Sequence, residues 1–587
     1  MHRKVLLLCS IASMLVACDD NAVPANEPLG QTLAEYRPAD PNQYPAIVIG
    51  SGYGGSVAAL RLGERGINTL VLERGRDWTI KDPTTDSTFA TMEQVLTGNG
   101  GKTAWLYNHV PGNFYLLSAN IPLARTTGIL ETVDATPEMH RDASPALRMN
   151  GVNGLAAAGV GGGSLVNNTV TYPPTEEGFK LAFPESELPF MPKVWKQLKK
   201  TYFDRALQNL KPETIPADLL ARPEYESTRL MDQYAATAGY PKEDPSDPTT
   251  LTFGRTLAPV LIDWNKVREE TTGARVPSVI KGEAWWGTNS GARKSLNTPQ
   301  GYLGRAVATG KVTVKALHTV SDISYDTQKS LYVVQVVHTD ESYNTLETLT
   351  FTTPKLILAA GSLGTTKLLV RARDTGKLPK LNADVGTRWS TNGNMAHLHL
   401  TGTTKPLPQG GPAGIKLTDF REPTNPVVLE NLPQRAPPNP TANPAGAPQD
   451  AVLTIGLGIP QGKGSFHYEA ATDTVVLDWP ADGGHNVYQR VTSLYSAFTP
   501  GTFVQIPEAR AMGTTLHPLG GAPLGLATNK GCQLKGYDGL YVVDSALVPG
   551  AAAVTNPSML ITSLAERCMD RILEDVTGSH GDFDHDD

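Results

Sequence analysis

Apolar positions along the chain fall into short β-branched runs joined by stretches of helical spacing. "AIVIG" (Ala46 to Gly50) is one such run, "SVAALRLGERG" continues at helical spacing, and "NTLVLERG" is a second run. This predicts a βαβ unit of about thirty residues. "KLILAAGSLGTTKLLVRA" repeats the strand, tight turn and helix. "GLYVVDSALVPG" predicts a strand, and "NPSMLITSLAERCMDRIL" a helix to residue 573. "KVTVKALHTVSDISYD" and "KSLYVVQVVHTD" alternate as strands of an antiparallel hairpin or meander do. Residues 190 to 240 read as helical, and the pattern weakens from 80 to 145. "RAPPNPTANPAGAPQD" (435 to 450) cannot pack as a regular element, and the acidic tail "GSHGDFDHDD" reads as disordered. The class is α/β.

The first twenty residues, "MHRKVLLLCSIASMLVACDD", break this pattern. Arg3 and Lys4 precede an apolar run, Val5 to Val16, that is short for a bilayer span and sits where an export signal sits. "LVAC" (Leu15 to Cys18) resembles a bacterial lipobox, whose cysteine is acylated; a plain cleaved signal is the alternative. The expectation is a chain exported from a bacterial cell. It is then lipid-anchored through Cys18 at a periplasmic or cell-surface membrane face, or secreted. Asp19 would favour the inner membrane. The 587 residues exceed one ordinary core, and the net charge of -7 argues against a nucleic-acid surface. Of four cysteines, Cys532 and Cys568 remain after Cys9 and Cys18. They could pair, but Cys568 lies in a helical pattern and is expected as a buried thiol.

Gly50-Ser51-Gly52-Tyr53-Gly54-Gly55 satisfies G-x-G-x-x-G between a strand and a helix. Gly50 permits a tight turn, Gly52 lets backbone approach a pyrophosphate, and Gly55 lets the helix close on the sheet. The helix N-terminus supplies unpaired N–H groups. Glu73, at the end of the next strand, can accept from both adenosine ribose hydroxyls, and its charge would repel a 2′-phosphate. The motif does not separate FAD from NAD. An exported protein has no nicotinamide pool, which favours a cofactor that stays bound. "GVGGGSLVNN", with Gly159, Gly162, Gly163, Ser164 and Asn167, offers a second close-approach surface. Asp544 and the helix starting at Asn556-Pro557 stand at a strand's C-terminal edge, where a ribityl chain and a flavin pyrimidine could sit.

"IVIGSGYGGSVAALRLGERGINTLVLERG", "GVGGGSLVNN", "LILAAGSLGTTKLLVRARDTGKLPKLNADVGTRWSTNGN", "LHPLGGAPLG" and "GLYVVDSALVPG…NPSMLITSLAER" recur in this order in the glucose–methanol–choline (GMC) oxidoreductases. From 44 to 575 the chain resembles that family, and within it most resembles the cholesterol oxidases with noncovalent FAD. The resemblance implies a Rossmann-like FAD-binding domain built from discontinuous segments. It also implies an α+β substrate domain with a large antiparallel sheet. The corresponding division is 1–18 signal, 19–43 tether, 44–80, 281–386 and 510–577 FAD-binding, 81–280 (with the Gly-rich block 150–168) and 387–509 substrate-binding, and 578–587 tail.

By position, the resemblance places His517 beside flavin N5 and Asn556 in the same site. It places Glu430 over steroid rings, Asn167 near the isoalloxazine, and the Val320 backbone against adenine. An imidazole, neutral near pH 7, suits a hydroxyl proton as acceptor or hydrogen-bond partner, and the glycines around it would leave room for a ring. "TTLHPLGGAPLG" holds no carboxylate or cysteine to make a metal site, and no metal is expected. A carboxylate at 430 could move a C4 proton of a 5-en-3-one to C6. The implied reaction is oxidation of a sterol 3β-hydroxyl, with O₂ or another acceptor taking the electrons. The alternatives are a GMC-type dehydrogenase for another alcohol using a quinone or cytochrome, and a flavin- or sterol-binding lipoprotein without turnover. Val428 replaces a family aromatic, "PGAAAVTN" is one residue longer than usual, "LGGA" lacks a usual cysteine, and 435–450 looks inserted.

Overall fold

A computed structural model describes residues 38, 40–79, 89, 106–107, 130–134 and 152–577, apart from 245–246, 284–290, 343, 402–406, 434–449, 481, 499–501 and 505–513. The signal, the tether up to residue 37, most of 80–151, nearly all of the Pro-rich stretch and the acidic tail lie outside the described residues. Among the described residues no helix is long and apolar enough to cross a membrane.

The β-branched runs form a parallel sheet because both sides of it are covered. Its strands are β1 (Ala46–Ile49), β2 (Thr69–Leu72), β3 (Val312–Lys315), β4 (Lys355–Leu358) and β5 (Leu540–Val542), in the order β5-β4-β1-β2-β3. Every residue of β1 and β2 is buried. The strand order reverses between β1 and β4, and a ligand crevice opens at the carboxyl ends of strands at such a reversal. Helix α1 (Tyr53–Glu64) follows β1, α2 (Gly361–Asp374) follows β4, and α3 (Pro557–Thr577) follows β5. Helix α1 packs on α3 and on the helix Tyr302–Ala308. Arg61 of α1 reaches Glu566 and Asp570 of α3 at 2.5 and 2.6 Å, and the Tyr302 hydroxyl donates to Glu566 at 2.9 Å.

One expectation is corrected here. The run from Lys311 to Asp326 is two strands in different sheets, not one strand of a meander. Val312–Lys315 pairs in parallel with β2, whereas His318–Asp326 opens a three-stranded antiparallel meander with Leu331–Thr339 and Thr345–Thr353. The break is a two-residue turn, Ala316-Leu317, with Leu317 at φ 60°. The Leu317 N–H donates to Gly75 O at 3.0 Å, and the N–H of His318 donates to Glu73 O at 2.9 Å. Alternation cannot show a turn that costs only one residue in the left-handed region.

The second layer is a six-stranded antiparallel sheet of Thr502–Val504, Met395–Leu400, Ala451–Leu457, Val427–Leu432, Ile415–Asp419 and Phe253–Leu257, in that spatial order. The helices Glu226–Thr237 and His485–Ala497 pack on it. All five parallel strands fall in 44–80, 281–386 and 510–577, and all six antiparallel ones in 81–280 and 387–509. The fold is α/β, a parallel layer assembled from discontinuous segments and joined to an antiparallel layer.

The second correction concerns the cysteines. Cys532 and Cys568 form a disulfide with Cα atoms 5.7 Å apart, within the range a bridge needs. Both are fully buried, so the expectation of burial holds while that of free thiols does not. Cys532 lies in the turn before β5, whose Val542 N–H donates to Cys532 O, and this brings the turn under α3. No sequence spacing encodes that approach.

Candidate active site

The first glycine turn sits at the strand-order reversal. Gly50 adopts φ +98°, and a Cβ there would lie 2.3 Å from the Ala359 carbonyl oxygen that follows β4. At Gly54 a Cβ would lie 2.0 Å from Val543 O, and at Gly55 2.0 Å from Gly50 O. These glycines let α1 close on the sheet. Gly52 differs: its nearest neighbour would be Gly162 Cα at 4.0 Å. Helix α1 begins without a side-chain cap and without an acidic residue in its first turn, so its N–H groups can receive a phosphate.

A cavity of about 860 Å³ runs from this turn past Glu73 and Val320 in one part, and past Asn167, His517, Glu430 and Asn556 in another. Gly50, Gly52, Tyr53, Gly54, Gly162, Gly163, Asp544 and Pro557 also line it, whereas Gly55, Gly159 and Ser164 do not. A Cβ at Gly163 would touch nothing within 4 Å; one at Gly159 would meet the Trp78 ring at 2.8 Å. Ser164 is spent inside the block, donating to Gly161 O at 2.7 Å and accepting from Leu296 N at 3.1 Å. The carboxylate of Glu73 accepts from the Ser51 hydroxyl at 2.6 Å and from the N–H of Gly75 at 2.9 Å, and burial pushes its pKa up. Glu73 thus braces the turn.

Asn167 bridges the two glycine blocks. Its amide donates to the Tyr53 hydroxyl at 2.9 Å, and its side-chain oxygen accepts from Arg293 at 3.0 Å. Arg293 also donates to Ser164 O and to Asn167 O. Burial pulls Arg293 down to about 9 and pushes Tyr53 up to about 12. Asp544 caps α2: its carboxylate accepts from the N–H of Gly361 at 2.9 Å and the Thr365 hydroxyl at 2.5 Å, and on its other oxygen from Ala546 N at 2.8 Å. Burial raises it to about 6.

His517 lines the cavity with its Nδ1 turned away into two amides. Asn394 Nδ2 lies 3.0 Å from Nδ1 and Asn392 Nδ2 lies 3.4 Å from it. Backbone donors fix both amides. Asn394 Oδ1 accepts from Leu516 N at 2.8 Å, and Asn392 Oδ1 accepts from Ala552 N at 2.8 Å. Their NH₂ groups therefore face the ring. Nδ1 must accept, and the proton of the neutral imidazole sits on Nε2. Burial lowers the pKa of His517 to about 3, so the neutral form holds throughout the neutral range. The glycines after it do not make room for a ring, as had been expected. A Cβ at Gly520 would lie 2.1 Å from Arg388 O, and one at Gly521 1.9 Å from Thr366 Oγ1. They let the loop pack against α2 and the Arg388–Trp389 turn.

Glu430, only 1% exposed, sits mid-strand in the antiparallel sheet. Its Oε1 accepts from Asn556 Nδ2 at 2.7 Å and from the Tyr172 hydroxyl at 2.9 Å. Burial raises its pKa, opposed by these two hydrogen bonds and by the charge of Lys416. Sequence reasoning missed Tyr172, Lys416, Arg293, Asn392 and Asn394. The two asparagines stand inside the quoted "TRWSTNGN", but no role had attached to them; the others carry no local signal.

A glycine-lined crevice at a parallel sheet's switch point, shared with a half-buried histidine and a buried glutamate, has the form of a nucleotide-cofactor site with acid–base groups beside it. Residues 481–565 match the family model described as GMC oxidoreductase. Cholesterol oxidases of two Mycobacterium tuberculosis strains are each 26% identical over 592 aligned residues, covering 89% of this chain and 90% of theirs. Among solved structures, a pyridoxine 4-oxidase from Mesorbium loti has a TM-score of 0.58 at 15% identity, covering 90% of this chain and 98% of its own. A fungal aryl-alcohol oxidase gives 0.56 at 14%, covering 91% and 99%, and an Aspergillus oryzae formate oxidase studied for FAD modification gives 0.58 at 13%, covering 92% and 99%. Residues 481–565 thus carry a GMC oxidoreductase match, and the rest of the chain is similar in sequence and fold to these oxidases. The open faces of Gly52 and Gly163 fit a dinucleotide cofactor such as FAD.

Proposed function

We propose that the protein oxidises the 3β-hydroxyl of a cholesterol-like sterol to the 3-ketone, with noncovalent FAD and with O₂ as final acceptor giving H₂O₂. The observation that carries the reading is the pairing, on one cavity, of an Nε2–H donor at His517 with a buried carboxylate at Glu430. Bound FAD supplies the hydride acceptor. The alcohol oxygen accepts a hydrogen bond from Nε2 of His517, which orients the carbinol. The hydroxyl proton passes to Glu430, whose proton affinity is raised by burial. Asn556 and Tyr172 hold Oε1 and leave the other oxygen for substrate. Once Glu430 has released that proton to solvent, the regenerated carboxylate takes a proton from C4 and returns it to C6, giving the 4-en-3-one. Leu155, Val166, Leu432, Ile455 and Leu516 give this part of the cavity apolar walls suited to a rigid hydrocarbon.

The test is an anaerobic titration of the yellow protein with sterols and simple alcohols. Cholesterol should bleach the flavin absorbance under argon, and air should restore it with one peroxide per turnover. Flavin that stays oxidised with every sterol rules the reading out. Bleaching by another alcohol with slow reoxidation in air marks a dehydrogenase for a quinone or cytochrome; the names of the structural neighbours, oxidases of pyridoxine and of aryl alcohols, favour a test of alcohols other than sterols but not that acceptor.

The N-terminal pattern supports export and a lipid anchor at Cys18, and the buried disulfide fits an oxidising compartment. A membrane-bound fraction released by Cys18→Ser would support the anchor; unchanged partition would refute it.

A further inference from the structure

Lys416 is 5% exposed and stands directly across the antiparallel sheet from Glu430. Its ammonium lies 4.0 Å from the centroid of the Tyr172 ring. Among the described residues, no carboxylate lies within ion-pair distance of it. A buried ammonium without a hydrogen-bonded partner is costly, so something else must compensate for it. The compensation is electrostatic and passes through one side chain. The cation sits on the ring face of Tyr172, and the hydroxyl of that ring donates to Glu430 at 2.9 Å. A cation over a phenol draws electron density from the ring and strengthens its O–H as a donor.

We propose that Lys416, acting through Tyr172 and across the strand pair, is a positioning residue that holds Glu430 as an oriented anion in an otherwise apolar pocket. This rests on the reading of Glu430 as the proton acceptor. The other groups facing that carboxyl are few. Asn556, at the start of α3, is uncharged. Tyr495, from the helix His485–Ala497, is held neutral by burial. Lys416 is therefore the one cation among these groups facing Glu430. Burial pulls its own proton affinity down to about 8, with Glu430 working against that, so it stays charged at neutral pH. The arrangement lets the carboxylate receive a proton during turnover and release it afterwards, because the nearby positive charge keeps the acid from becoming too weak to let go.

The test is infrared difference titration of the flavin-loaded protein. It follows the carboxylic-acid C=O band that vanishes in Glu430→Gln. Lys416→Met keeps the side-chain length and removes the charge, and the flavin spectrum reports that the variant is folded. Its Glu430 midpoint should move to higher pH, by about tenfold or more in proton affinity. Lys416→Arg should stay within about threefold of the parent, and Tyr172→Phe should fall between the two. The acid limb of kcat should follow the same order while KM for the alcohol stays nearly constant. A midpoint unmoved in Lys416→Met, or a band absent from parent and variant alike, overturns the proposal. The two readings fail separately. Wild-type turnover in Glu430→Gln would remove the proton-acceptor role, while the midpoint in Lys416→Met would still report on the lysine.

Discussion

Two amides decide what His517 can do. Their orientation is dictated by backbone N–H groups, which can only donate, so the imidazole must offer Nδ1 as acceptor and Nε2–H as donor. Asn394→Asp should reverse this, since a carboxylate beside Nδ1 draws the proton there and leaves Nε2 bare. We expect kcat/KM at pH 7 to fall by about a hundredfold and nitrogen NMR shifts to report the other tautomer. A variant with parental kcat/KM would mean that the tautomer is immaterial. Burial also links this ring to stability. With its folded pKa at about 3 and an unfolded value near 6.5, the neutral ring stabilises fully above pH 6.5. That contribution is lost as pH falls from 6.5 toward 3, because the unfolded chain takes up the proton first. His517→Gln should therefore lose less melting temperature than the parent between pH 7 and pH 5. The glycines and His517 were legible in the sequence because their motifs span about a dozen residues. Tyr172 and Glu430 were not legible together, because they are 258 residues apart and only the sheet joins them.

At the scale of elements, strands and helices of the nucleotide layer could be read directly, since β-branched runs followed by glycine turns have few other uses. The antiparallel sheet was harder. Strand 427–432 is buried at every position, polar ones included, so period-two alternation is absent from it. Pairing of Lys416 with Glu430 is a matter of register, which no single strand encodes. Helix packing was equally hidden. Arg61 and Arg205 converge on Glu566 and Asp570, a cluster assembled from three helices far apart in the chain. Glu566 is 1% exposed. Glu566→Ala should destabilise the protein by about 3–5 kcal/mol, because it strands a partly buried guanidinium and the Tyr302 hydroxyl. Denaturant melts of parent and variant would show this. A change below about 1 kcal/mol would mean that Asp570 alone satisfies both arginines.

For the molecule as a whole, the disulfide matters most where it lies. It closes a loop of 36 residues in sequence separation that contains β5, Asp544, Asn556 and the first half of α3. By chain entropy alone such a bridge contributes about 4 kcal/mol. Cys532→Ser with Cys568→Ser should lower stability by about that amount in oxidising buffer, and reductant should have no further effect on the double variant. If parent and variant melt together, the bridge is not formed in solution.

The parallel sheet places its first strand in the middle and its last strand at the edge, more than four hundred and ninety positions later. A polypeptide still emerging from a ribosome or a translocation pore therefore exposes the first glycine turn long before Asp544 and the α3 start exist to complete the crevice. Cofactor capture is a terminal event of biogenesis, available only after the last tenth of the polypeptide has arrived. A chain stopped short of β5 would remain colourless however much flavin surrounded it.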